Sequence, residues 1–174
     1  MLLKTKFSNR GEKFYLRKFW FIIISLIVVS VQIDAQNGWT KKGNLTPLRA
    51  TASASVINNK IYIIGGNTGS PNYSDLDINE VYDPATNTYE IKQRMLTARG
   101  WLSTAVVNGI IYAIGGGYQA TDKNEAYDPG TNQWTNKEKM LSSRIATKAG
   151  VVNGIIYIIG GGHGARNCEA YDPG

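Results

Sequence analysis

One six-residue phrase occurs three times. Ile61–Gly66 reads Ile-Tyr-Ile-Ile-Gly-Gly, Ile111–Gly116 reads Ile-Tyr-Ala-Ile-Gly-Gly, and Ile156–Gly161 restores the first wording. The leading glycines Gly65, Gly115 and Gly160 are spaced by 50 and then 45 residues. A period of that length marks a repeat architecture, in which one supersecondary unit recurs and hides its apolar faces against its neighbours.

The copies agree beyond the diglycine. Before each lies a β-branched run and a tight turn: Val56-Ile57-Asn58-Asn59-Lys60, Val106-Val107-Asn108-Gly109-Ile110 and Val151-Val152-Asn153-Gly154-Ile155. Asn-Gly between two such runs predicts a hairpin, because a type I′ turn needs positive φ at both central residues. After each diglycine come a loop and then Asn79-Glu80-Val81-Tyr82-Asp83-Pro84, Asn124-Glu125-Ala126-Tyr127-Asp128-Pro129 and Asn167-Cys168-Glu169-Ala170-Tyr171-Asp172-Pro173. Asp-Pro opens a turn, since Asp bonds the backbone ahead and Pro presets φ. An aromatic, Tyr89 or Trp134, then starts a fourth strand, with Met95 or Met140 six residues on and Arg99 or Arg144 four further. One repeat is therefore four antiparallel strands of roughly 45 residues, the size of a propeller blade. The second strand is apolar on both pleat faces, which requires cover on both sides.

The diglycine, Asn-Glu-x-Tyr-Asp-Pro, the spaced Trp and the Met-to-Arg step, recurring in register, resemble the kelch repeat over residues 39–174. The resemblance implies an all-β propeller of about three four-stranded blades, with repeats over residues 49–94, 99–139 and 144–174. Gly65, Gly66, Gly115, Gly116, Gly160, Gly161, Glu80, Glu125, Glu169, Tyr82, Tyr127, Tyr171, Trp39 and Trp134 are its structural positions. Trp39 stands six residues before Leu45 and ten before Arg49, so residues 39–42 are expected to be an orphan fourth strand. Propellers usually have 4–8 blades. Three leave two apolar blade faces to be covered, either by blades beyond Gly174 or by a second chain, three blades against three.

Residues 1–35 stand apart. Lys4, Lys6, Arg10, Lys13, Arg17 and Lys18 against Glu12 and Asp34 give this leader +4 of the chain's net +6, leaving +2 for the repeats. That residue of charge offers no footprint for nucleic acid. Phe19–Val31 is an apolar run interrupted only by Ser25 and Ser30, after basic residues and before Ala35. The layout is that of a signal peptide cut after Ala35, with an uncleaved anchor as the alternative. It predicts a signal helix and a secreted or periplasmic protein that meets the membrane only through this segment before cleavage.

Alternating strands put the loops between strands two and three, and between strand four and the next strand one, on one face. Binding residues concentrate on variable loops held by a rigid scaffold. Arg49, Arg99 and Arg144 lie there once per repeat, either as a carboxylate-binding ring or as braces bridged to Glu80, Glu125 and Glu169 of neighbouring blades. Residues that break the repeat are stronger candidates: Asn72, Tyr73, Asp75 and Asp77 in the first loop, Tyr118, Gln119 and Asp122 in the second, His163 and Arg166 in the third, and Trp101 after Arg99. Asp75-x-Asp77 is a thin calcium motif without further ligands. A single histidine and the single Cys168 exclude a multi-His or Cys-based metal centre and an internal disulfide. The diglycines end strands and open no helix, so they are no dinucleotide fingerprint.

The expectation is a cofactor-free binding module for a protein or glycan. The alternatives are a kelch enzyme of the sialic acid mutarotase kind, for which Arg99, Arg144, Arg166 and Asp122 are available, and a truncated fragment without function.

Overall fold

The structure, a computed structural model, describes residues 38–162 and 166–174. The leader, its expected signal helix, and His163 lie outside the described residues. Every named element is a β-strand. Strands β1 (Ser53–Ile57), β2 (Lys60–Ile64), β3 (Asn79–Asp83) and β4 (Thr88–Ile91) form the first sheet, in chain order. Strands β5 (Ser103–Val107), β6 (Ile110–Ile114), β7 (Asn124–Asp128) and β8 (Gln133–Lys137) form the second. Strands β9 (Lys148–Val152), β10 (Ile155–Ile159) and β11 (Cys168–Tyr171) form a third with three strands. Residues 39–42 carry no strand, which departs from the expected orphan strand. All three sheets belong to one contact unit, Lys42–Gly174.

The turn chemistry acts as the sequence predicts. Asn58 and Asn59 sit at φ 50° and 61°, and Asn108 and Gly109 at 50° and 77°, which sets the right-handed twist of the hairpins they close. The registers are equivalent: Ser53 faces Ile64 as Ser103 faces Ile114. Asn87 and Asn132 also hold positive φ, and each accepts a hydrogen bond from the tyrosine five residues earlier, Tyr82 at 2.9 Å and Tyr127 at 2.8 Å. Burial pushes the Tyr127 hydroxyl pKa up to about 12, with the nearby Tyr62 adding to it, so it remains a donor.

Burial shows the sheets stacked as blades. In the middle blade Ile111, Tyr112, Ala113 and Ile114 are all buried. Ile111 and Ala113 enter one core with Ile57, Tyr62, Ile64 and Val81 of the first blade. Tyr112 and Ile114 point the other way, into a second core with Ile156 and Ile158 of the third. The strand is apolar on both faces because each face meets a different neighbour. The equivalent strands of the outer blades are only half covered, and Ile159 is 57% exposed. Aromatic pairs link the blades at the same level, with Tyr62–Tyr127 and Tyr112–Tyr171 centroids both 5.9 Å apart.

Candidate binding face

The loop face is built on a backbone ring. Thr51, Trp101 and Ala146 are equivalent positions just before the first strand of each blade, and all three adopt left-handed φ of 56°, 50° and 54°. The Trp101 N–H donates to the Thr51 carbonyl at 3.0 Å, and the Ala146 N–H donates to the Trp101 carbonyl at 2.9 Å. The first strands are joined beneath this ring by hydroxyls. The Ser53 and Ser55 hydroxyls each lie 2.8 Å from Thr104 Oγ1, and Ser103 Oγ donates to the Thr147 carbonyl at 2.7 Å. Left-handed backbone is strained for non-glycine residues, and such positions gather at sites that the surrounding structure over-determines.

The diglycines clasp each blade to the next. Gly66 N–H donates to the Arg99 carbonyl at 3.0 Å, and Gly116 N–H to the Arg144 carbonyl at 2.8 Å. A Cβ on Gly65 would lie 2.3 Å from the Arg99 carbonyl oxygen, and one on Gly115 would lie 2.8 Å from that of Arg144. The pair thus serves the junction between blades, where backbone meets backbone.

The repeated arginines are not a ligand ring. Arg49, Arg99 and Arg144 are buried, and their ion pairs run to Glu80 at 2.8 Å, Glu125 at 3.3 Å and Glu169 at 2.6 Å. Each pair lies within one repeat, which corrects the expected bridge between neighbouring blades. The guanidinium groups also donate to backbone: Arg99 Nη1 to Gly115 O at 2.8 Å and Lys123 O at 3.2 Å, and Arg144 Nη1 to Gly160 O at 3.0 Å and Asn167 O at 2.7 Å. The glutamates also hold the crossing from the preceding blade. Glu125 accepts the Leu96 N–H at 3.1 Å and Glu169 the Leu141 N–H at 2.7 Å. Burial lowers the Arg99 pKa from its ordinary value, and the Glu125 carboxylate opposes it. Burial also works against the Glu169 carboxylate. Donors from Ser142, Leu141 and Arg144 outweigh it and hold that carboxyl below its ordinary value.

The residues that break the repeat do converge. Tyr73 stacks on Trp101 with centroids 6.3 Å apart and planes 33° from parallel. Asp75 sits beside them, its Oδ1 accepting the Gly100 N–H and its Oδ2 the Tyr118 N–H, both at 2.9 Å. It ties the first blade's loop to the second's and sets the two aromatic segments side by side. Tyr73 and Tyr118 are 54% and 69% exposed. Gly100 allows this packing, since a Cβ there would lie 2.8 Å from Thr51 Oγ1 and 3.0 Å from both Asn67 Nδ2 and Asp75 Oδ1. Thr51 Oγ1 and Asn67 Nδ2 are buried without a hydrogen-bond partner among the described residues.

Other candidates lie apart from this cluster. Asp77 pairs with Arg94 at 2.5 Å, whereas Asp75 accepts the two amides described above. Asp122 stands 3.9 Å from Lys139. Asn72 lends its carbonyl to the Thr68 hydroxyl, and Gln119 and Arg166 are solvent-exposed. Cys168 is exposed on β11. Sequence reasoning missed the capping role of Asp75 and the part played by Thr51, Asn67 and Gly100. Gly100 was the available signal, since the other two repeats carry Ala50 and Ile145 there.

Models of the kelch motif match residues 48–96 and 102–141, just over half of the chain. The chain belongs to the kelch-repeat family. It is similar to kelch-like ECH-associated protein 1B of Danio rerio, at 31% identity over 48% of this chain and 14% of that protein. A putative F-box/kelch-repeat protein of Arabidopsis thaliana is 46% identical over 31% of this chain and 14% of its own. Human kelch repeat and BTB domain-containing protein 12 is 32% identical over 54% and 16%. The kelch chain thus spans less than a fifth of the length of these curated relatives. Among solved structures YjhT superposes with a TM-score of 0.63 at 16% identity, over 72% of this chain and 48% of that one. That likeness shows the kelch propeller fold.

Proposed function

We propose that this chain is an exported kelch-type binding module, carried out by its N-terminal leader, whose loop face takes a protein or glycan ligand at the junction of the first two blades. The observation that carries this reading is the tilted pair of exposed Tyr73 on half-buried Trp101, with the segment of exposed Tyr118 tied to the same loop through Asp75. Rigid aromatic side chains give much contact area at little entropic cost and dominate binding energy where they cluster. A sugar ring or an apolar side chain stacks equally well on such a surface. The enzymatic alternative loses two of its four groups, because Arg99 and Arg144 are buried in ion pairs with Glu125 and Glu169.

Screening the full chain against glycan and extracellular protein arrays tests this. Ligands that bind should lose about tenfold or more in affinity to a Y73A/Y118A variant, as expected for truncated anchors. The variant should keep its thermal midpoint, since both side chains are exposed. A ligand that binds the variant as tightly as the unsubstituted chain would place the site elsewhere.

A further inference from the structure

Asp75 spans the loops of the first two blades, and two further groups compete for it. Its Oδ1 accepts the Gly100 N–H and its Oδ2 the Tyr118 N–H, both at 2.9 Å. Beside Gly100 one point lies 2.8 Å from Thr51 Oγ1 and 3.0 Å from both Asn67 Nδ2 and Asp75 Oδ1. A Cβ on residue 100 would stand at that point, and glycine leaves the gap between the three polar atoms clear.

Asn67 is fully buried, and its Oδ1 accepts the Gly69 N–H at 3.1 Å. That bond fixes the side-chain amide one way round, with the two Nδ2 hydrogens left toward the gap. Neither Asn67 Nδ2 nor Thr51 Oγ1 has a hydrogen-bond partner among the described residues. A buried donor without a partner is costly, so both groups draw an acceptor toward them. The acceptor already at the edge of the gap is the Asp75 carboxylate. Turning toward Asn67 and Thr51 would pair them both. The same turn withdraws Oδ2 from the Tyr118 N–H, because the two oxygens move together. Gly117 is held independently, its N–H donating to the Gly100 carbonyl at 2.7 Å, so the release begins at Tyr118.

We propose that Asp75 switches the loop face between two states. In the clamped state, the one described, its carboxylate holds Gly100 and Tyr118 and ties the Tyr118 segment to the loop that carries Tyr73. In the released state it serves Asn67 and Thr51, and the Tyr118 segment is let go. Regulation of binding follows only if this face is the binding surface, as proposed above. A ligand that touches Tyr73 and Tyr118 together then binds the clamped state, and its apparent affinity falls with the fraction of chains released.

Amide exchange in the ligand-free full chain tests the switch separately from that reading. Thr51→Ala removes one competing donor, and alanine already occupies the equivalent left-handed position at Ala146. Thr51→Ser keeps the hydroxyl and loses only the methyl group. T51A should slow exchange of the Tyr118 amide about threefold or more, the weight of one hydrogen bond, and leave the Gly117 amide unchanged. T51S should exchange like the unsubstituted chain. Equal Tyr118 rates in T51A and T51S, as expected if solvent serves the Thr51 hydroxyl, overturn the proposal. So does faster exchange in T51A, which would mean that Thr51 supports the clamp rather than competing with it. Slowed exchange in T51A together with a ligand indifferent to Y73A/Y118A would keep the switch and move the binding site elsewhere.

Discussion

Replacing Arg99 with Met will destabilise the fold by about 3–5 kcal/mol, the usual result of removing one partner from a buried ion pair. Arg99 is 1% exposed, and its guanidinium meets the Glu125 carboxylate and the carbonyls of Gly115, Ala113 and Lys123. Met fills much of the same volume, so packing changes little. What remains is a buried Glu125 carboxylate that has lost its counter-charge and several carbonyls that have lost their donor. The damage should also be directional. Glu125 fastens the crossing at Leu96, so the junction between the first two blades should open before the third blade does. Urea unfolding of R99M and of the double variant R99M/E125L checks this. The double variant should recover a large part of the loss, because replacing both members of a buried pair costs less than orphaning one. A loss below about 1 kcal/mol for R99M would mean that water reaches the pair.

Substituting Gly115 by Ala should cost about 2–4 kcal/mol, from two separable causes. Gly115 has φ +63°, a region that any Cβ makes unfavourable. Its added Cβ would also stand 2.8 Å from the Arg144 carbonyl oxygen, which is backbone and cannot swing away. Gly109 separates the two, since it has φ +77° with no atom within 4 Å of an added Cβ. G109A should therefore show only the conformational part, about 1 kcal/mol. The excess for G115A measures how closely the second and third blades approach. Equal losses for the two variants would show that this approach is looser than the geometry described.

The blade could be read from the chain because its rules are local. The Asn-Gly turns, the Asp-Pro turns and the doubly apolar second strands each act within a few residues, and the stacking followed from asking what could cover a strand on both sides. Ile111 through Ile114 answer that directly, one face to each neighbour. The Arg and Glu repeats were legible as a pair, but not the direction of the bond. Sequence gives the spacing between Arg99 and Glu125 without saying whether the crossing segment folds back on its own blade. Least legible was the ring through Thr51, Trp101 and Ala146. It is made of backbone N–H and carbonyl groups at three positions with no shared side-chain chemistry. The Tyr73–Trp101 pair and the neighbouring Tyr118 segment lie halfway between. Each residue was visible as a break in the repeat, while their convergence depends on one carboxylate, Asp75, reaching two amides in the next blade.

Amide hydrogen exchange at the blade junctions tests the stacking most directly. The N–H groups of Gly66, Trp101, Gly116 and Ala146 all belong to connecting segments, yet each donates to a carbonyl in the next or previous blade. They should exchange as slowly as the amides inside β6, opening only when the sheets part. If those four amides exchange at the rate of open loops while β6 stays protected, the sheets do not stack as described here.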